Sequence, residues 1–202
     1  YKRQMNILII LIVPSILFGE NFSSEKDLLI NDSLFSAKIS RDNWGVPHIY
    51  GKTDSDVSFG LAYAHSEDDF ETIQYIIYAS RGKLASVYGR DAAVNDYYVQ
   101  LMNFWGLIEE NYESDVKYEV KLLCEGYAAG INKYLIDNPD RHDKTFDPVT
   151  PEDIIAGFSH RMPLMFGLDG ILKKLSKKNP PDFLGGNPVS YTHIRAHETR
   201  IH

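Results

Sequence analysis

Few side chains in this sequence could carry out a reaction, and none is spaced to do so unaided. His48 and His65 could act as general bases, but neither has a Ser or Cys at a spacing that builds a nucleophile–base pair. Ser66-Glu67-Asp68-Asp69 could ligate a cation, although acids are expected at a helix N-terminus from the dipole alone. Cys124 is the single cysteine, so no internal disulfide forms. With no His or helix start beside it, it reads as a small buried hydrophobe. His160, next to Arg161, reads as lying on the polar side of its helix. Gly185-Gly186 lacks the strand-to-helix setting of a phosphate loop. His193 and His197 stand four apart, which on a helix could hold a metal, but they fall in an anomalous tail. Met162, Met165 and Phe166 sit at a spacing that fits a buried helix face.

The elements that would position these groups follow from the hydrophobic pattern. Residues 37–42 and 46–50 alternate on either side of Asn43-Trp44-Gly45, which predicts a β-hairpin. Pro47 cannot donate to a ladder, so the second strand should be an edge. Val57, Leu61 and Ala64 repeat at helical spacing, and Ser66 with Asp69 predicts a capping box opening a second helix that Gly82 ends. Leu84–Tyr88 makes a further turn closed by Gly89. Residues 113–136 form an amphipathic helix with Val116, Val120, Leu123, Tyr127, Ile131 and Tyr134 on one face, stopped by Asn138-Pro139. Thr150-Pro151-Glu152-Asp153 gives an N-cap, proline at the first helical position and first-turn acids, opening a helix that runs past Met162.

The chain has 202 residues, 44% of them hydrophobic, and a formal charge of −7. That suffices for a packed core and supplies no electrostatic reason to expect nucleic acid or an anionic membrane as a partner. The apolar run from Ile7 to Phe18 after Lys2-Arg3 is too short to span a bilayer but suits a signal peptide over residues 1–19. If translation starts at Met5, the two basic residues are lost and that signal weakens. Export to the periplasm or medium follows as an expectation, with no membrane association once the signal is removed. Residues 20–36 read as a linker and 37–188 as the folded unit. Residues 189–202, around Tyr191-Thr192-His193-Ile194-Arg195-Ala196-His197-Glu198-Thr199, resemble translated sequencing-adapter read-through and are set aside as a non-native tail.

Several signals occur in one order. Arg41-Asp42-Asn43-Trp44-Gly45-Val46-Pro47-His48-Ile49-Tyr50 is followed by Gly60-Leu61-Ala62-Tyr63-Ala64-His65-Ser66-Glu67-Asp68, then Arg81-Gly82-Lys83-Leu84-Ala85 with Tyr88-Gly89, then Gly126-Tyr127-Ala128-Ala129-Gly130-Ile131-Asn132. The series resembles the α chain of the penicillin acylase family over nearly all of residues 38–170. Penicillin, acyl-homoserine-lactone and lipopeptide acylases share it. The resemblance implies an α+β, mostly helical piece of a four-layer αββα N-terminal-nucleophile hydrolase, made as a precursor and paired with a β subunit as a heterodimer. It also implies that a serine at the start of β is the nucleophile, its own α-amino group the base, and an N-acyl compound the small-molecule substrate. No catalytic residue is expected in this chain.

Gapless alignment with the family's pocket helix sets Met162 and Phe166 on a Met and a Phe that line the acyl site. It sets Met165 where penicillin G acylases often carry an Arg. An oily, deformable lining in place of a cation favours a fatty or aromatic acyl group. Some relatives bind calcium through an α-chain Glu, but the matching position falls near Leu172 with Asp169 the nearest acid, so no cofactor or metal is expected. The competing reading is a secreted, non-catalytic helical module that binds a partner through an apolar groove.

Overall fold

The structure is a computed structural model that describes residues 26–175. The expected signal peptide, the tail, Gly185-Gly186 and the His193/His197 pair lie outside the described residues. Among the described residues three antiparallel strands, β1 (Lys26–Asn31), β2 (Ser36–Arg41) and β3 (Pro47–Gly51), form a sheet in that order. The helices are α1 (Asp54–Ser80), α2 (Leu84–Tyr88), α3 (Ala93–Met102), α4 (Phe104–Asp115), α5 (Tyr118–Asp137), α6 (Pro151–Pro163) and α7 (Asp169–Leu175).

The hairpin β2–β3 forms as its sequence predicts, with Ile39 opposite Ile49 and Pro47 opposite Arg41 at the start of an edge strand. Its turn is held by the Asp42 carboxylate, which accepts from the N–H groups of Trp44 and Val46, both at 2.9 Å. Gly45 takes a φ of 83° there, a conformation a Cβ would penalise. The expected linker over residues 20–36 is corrected by β1, which pairs along its whole length with β2. That strand shows no alternation because Asp27, Leu28 and Leu29 are exposed, and among residues 27–31 Ile30 alone is buried. An Asp32 side chain accepting from Leu34 and Phe35 N–H groups, both at 2.7 Å, makes the connecting turn.

Helix α1 starts at a Thr53/Asp56 capping box whose Asp56 carboxylate also accepts from the Ser36 N–H at 2.9 Å, tying helix to sheet. The second capping box expected at Ser66 is not there. Ser66 is buried mid-helix, its hydroxyl donating to the Ala62 carbonyl at 2.8 Å. The break comes three residues later at Asp69 (φ −155°), which caps the resumed helix by accepting from the Thr72 N–H at 3.1 Å. Gly82, with a φ of 65°, ends the helix as expected.

Helix α5 begins at Tyr118, later than the hydrophobic pattern placed it, because Val116 is extended and separates it from α4. Its buried face is carried by Cys124, Ala128, Ile131 and Tyr134, while Val120 and Leu123 are exposed. Gly126 and Gly130 let α1 cross α5 at backbone distance: a methyl on either would overlap the carbonyl oxygen of Ser55 or Phe59. Ile30, Ala37 and Ile39 of the sheet, Phe59 and Tyr63 of α1, and Ile131 and Tyr134 of α5 share one core. No helix among the described residues is long and apolar enough to cross a membrane.

This crossing makes two glycines inequivalent. Gly130→Ala should lower the unfolding free energy by about 1–3 kcal/mol through overpacking. Gly157→Ala in α6, whose added methyl meets only Ile76 at 3.9 Å, should raise it by up to about 1 kcal/mol. Urea unfolding of both variants checks the contrast, and equal effects would contradict the close crossing.

Candidate functional site

Helix α6 carries Met162 and leads directly into the 164–168 turn that carries Met165 and Phe166, so what fixes α6 sets where all three begin. Its N-terminus is set by Asp153, whose carboxylate reaches back to accept from the Thr150 N–H at 2.8 Å. The same carboxylate takes a two-pronged contact from Arg81 just past the end of α1: Nε donates to Oδ1 at 2.7 Å and Nη2 to Oδ2 at 2.6 Å. Arg81 also donates to the carbonyls of Asp147 and Pro148, at 3.2 and 2.8 Å, and stands over the Phe146 ring. One planar guanidinium thus fastens the 147–153 loop, the start of α6 and the end of α1 together.

The other end of α6 behaves differently. Pro163 has no N–H, so the Ser159 carbonyl loses its helical donor and the ladder cannot continue evenly. The chain winds into a wide π-type turn over Leu164–Leu168, with Gly167 at a φ of 93°. Leu164, Leu168 and Leu172 pack on Tyr98, Val99 and Phe104. Met162, Met165 and Phe166 are 51%, 70% and 83% exposed, as is much of Phe158. Their reading as a buried helix face is therefore overturned within this chain. Met162 is exposed because the buried face of α6 runs through Asp153, Ala156 and His160; beyond Pro163 the helical period ends and the leucines take the packing positions instead of Met165 and Phe166.

His160 corrects a second expectation. It lies on a buried face, not the polar one, at 7% exposure. Its Nε2 is 2.7 Å from Asn95 Oδ1, and its ring sits 5.4 Å from Tyr98 and 6.5 Å from Phe104. Burial, aided by the neighbouring Arg161 charge, pushes its pKa below the ordinary value of 6.5. The sequence offered no signal for this, because its partners come from α3 and α4, sixty residues away in the chain.

The remaining candidates have structural partners. Arg41 reaches Glu67 at 3.1 Å, Asp68 at 2.9 Å and the Ala64 carbonyl at 3.3 Å, so the acids of the 66–69 run clamp the hairpin to α1. His48 stands 3.7 Å from Asp42, and His65 Nδ1 meets the Tyr127 hydroxyl at 2.9 Å. Cys124 is buried, and burial raises its thiol pKa. Near the position expected for a calcium ligand, Asp169 pairs with Lys173 at 3.3 Å, and Leu172 is part of the apolar packing. No three metal-ligating side chains converge among the described residues. A polar cleft of about 580 Å³ is lined by residues 68–71, Gln74, Tyr88 and 140–143 and includes none of the α6 residues.

Helix α6 is fixed by a buried ion pair at its start and by a buried histidine near its end, and the exposed Met162, Met165 and Phe166 follow that histidine in the chain. The family model described as penicillin amidase matches residues 36–177, more than half of the sequence, and the chain belongs to that family. It is 24% identical over 179 residues to acyl-homoserine lactone acylase PvdQ of Pseudomonas fluorescens (strain Pf0-1), covering 82% of this chain and 23% of that protein. It is 26% identical over 98 residues to penicillin acylase 2 proenzyme of Pseudomonas sp. (strain SE83), covering 48% of this chain and 12% of the other. Among solved structures it is similar to a thermostable penicillin G acylase from Alcaligenes faecalis in tetragonal form. That match has a TM-score of 0.55 and 25% identity, covering 65% of this chain and 74% of the other. The chain spans less than a quarter of the length of these curated relatives.

Removing one half of the buried pair leaves the other charge stranded, so Asp153→Ala should cost about 3–5 kcal/mol in urea unfolding. A cost below about 1 kcal/mol would mean the pair is not buried as described. For His160 the sign is set by its lowered pKa. The unfolded chain takes up the proton first, so its contribution to stability is whole above pH 6.5 and declines as pH falls below that value. The melting temperature should drop between pH 7 and 5.5, and by less in His160→Gln. An equal drop in both proteins would contradict it.

Proposed function

We propose that this chain is the α-subunit portion of an amidohydrolase that cleaves the amide bond of N-acyl compounds. In this reading the nucleophile is a serine heading a β segment cut from the same precursor. Its hydroxyl attacks the amide carbonyl, its free α-amino group takes the proton, and backbone donors of β hold the oxyanion. The acyl group passes to the serine oxygen, the amine leaves, and water releases the acid. The proenzyme name of one relative supports a processed precursor. The complete protein would be a four-layer αββα assembly exported to the periplasm or medium, with no metal or cofactor in the chemistry.

The part of this chain in that reaction is to bind. The observation carrying the reading is the exposure of Met162, Met165 and Phe166 at the end of a helix whose other side is packed. Exposed apolar side chains at a rigid helix end are favourable only when a substrate chain or a partner covers them. A lining of Met, Met and Phe takes an acyl chain through area and deformability, with no charge to reward a polar group.

The test is to express the complete precursor from the intact gene and assay release of a chromogenic amine from acetyl, phenylacetyl, octanoyl and dodecanoyl amides. Activity should rise with acyl hydrophobicity. A correctly processed heterodimer that binds these amides without cleaving them would replace this reading with a binding module. In the active protein, Met165→Arg should lower kcat/KM for the dodecanoyl amide about tenfold or more, since the chain would then bury a cation. No change would remove Met165 from the acyl site.

A further inference from the structure

We propose that His160 is the positioning residue for the acyl-contacting end of α6, held by Asn95 and Tyr98 so that Met162 and the 164–168 turn stand at one fixed place. The inference rests on the proposed acyl-binding role of that helix end and names what sets its selectivity.

The need for such a residue arises from Pro163. A helix that loses its ladder in the last turn has no internal means of fixing where the chain goes next. Here the missing constraint comes from α3 by two routes. The Tyr98 hydroxyl donates to the His160 carbonyl at 3.2 Å, satisfying an acceptor at the end where the ladder fails. Asn95 takes the imidazole itself. Its Nδ2 donates to the Ala79 carbonyl at 2.8 Å, and that oxygen can only accept. The amide oxygen of Asn95 is therefore the atom turned to His160, which fixes Nε2 as the protonated, donating nitrogen. A relay runs from the C-terminal carbonyls of α1 through Asn95 to the imidazole, two residues before Met162.

The same packing seats the turn beyond Pro163. Tyr98 and Phe104, whose rings flank His160, are the residues on which Leu164, Leu168 and Leu172 rest. Moving the imidazole disturbs the surface under the turn as well as the helix above it. The groups facing His160 are Asn95 and Tyr98 of α3 and the Phe104 ring of α4, with Arg161 the charge beside it on its own helix. The nearby Asp96 carboxylate is occupied by the N–H groups of Leu84 and Ala85, at 2.8 and 2.9 Å. Among the described residues no carboxylate pairs with the imidazole, and protonation would set its charge beside that of Arg161 and loosen the contact.

The experiment uses the processed heterodimer and compares His160→Gln, His160→Asn and His160→Leu on acetyl and dodecanoyl amides. A glutamine amide reaches the position of Nε2 and can donate to Asn95, whereas an asparagine is too short and leucine has no donor. His160→Gln should keep KM for the dodecanoyl amide within threefold of the parent. His160→Asn and His160→Leu should raise it about tenfold, with a smaller fall in kcat and little effect on the acetyl substrate. In the parent that KM should rise in acid, at a pH below the ordinary histidine value because burial depresses the His160 pKa, and in His160→Gln it should not. Equal KM values for Gln and Asn variants, or equal losses on short and long substrates, would overturn the proposal. So would a parent KM independent of acid, and circular dichroism of each heterodimer separates these results from unfolding. If the parent heterodimer itself cleaves no amide, the failure belongs to the proposed function and not to His160.

Discussion

Arg81 and Asp153 meet where three pieces of the chain would otherwise be free to slide: the end of α1, the 147–153 loop and the first turn of α6. Their pairing is almost dry, and both carboxylate oxygens and three guanidinium nitrogens are in use. A pair of this kind adds little net stability over an apolar substitute, because desolvating two charges offsets most of their attraction. What it supplies is geometry. A fork meeting a carboxylate fits in one orientation only, so α6 leaves the core along one line, and the side chains at its far end inherit that direction.

A second constraint stabilises the first. Helix α1 lies between the sheet and α5, and it can do so only because small residues face it on both sides. Gly60 lets Ile49 and Ala37 approach from the sheet, while Gly126 and Gly130 admit the α1 backbone to α5. Arg41 then closes the assembly from the hairpin side through Glu67 and Asp68. The acidic run after Ser66, the arginine before the hairpin turn and the paired glycines of α5 are therefore one mechanical system spread across ninety residues. This explains why those signals occur together in the sequence although they lie far apart in it.

The hairpin, the glycine stop at residue 82 and the Thr150-Pro151 start of α6 were legible because each is written within a few consecutive residues. What could not be read depends on distant partners. Strand β1 has one buried side chain among residues 27–31 and is specified by its pairing with β2, which leaves no period to detect. The kink at Asp69 rather than Ser66 turns on which side chain is free to cap: the Ser66 hydroxyl donates back to the Ala62 carbonyl, whereas the Asp69 carboxylate accepts from the Thr72 N–H. Helices α3 and α4 escaped notice, yet they hold His160. The proposed acyl-contacting residues rest on resemblance, and their spacing alone pointed the wrong way, toward the core, where none of the three lies. A proline inside the pattern was the available warning that the period would not survive.

Proline at position 163 also separates two kinds of demand on the chain. Ahead of it, Asp153, Ala156 and His160 are locked into the interior, and almost any exchange there disturbs folding. Met165 and Phe166 lie beyond it on a stretch held by its leucines, so replacing them removes few interior contacts. Such positions can drift with little penalty to the fold. Under the proposed reading, in which those side chains meet the acyl group, descendants of one ancestral gene could acquire new tastes without first having to shore up their architecture.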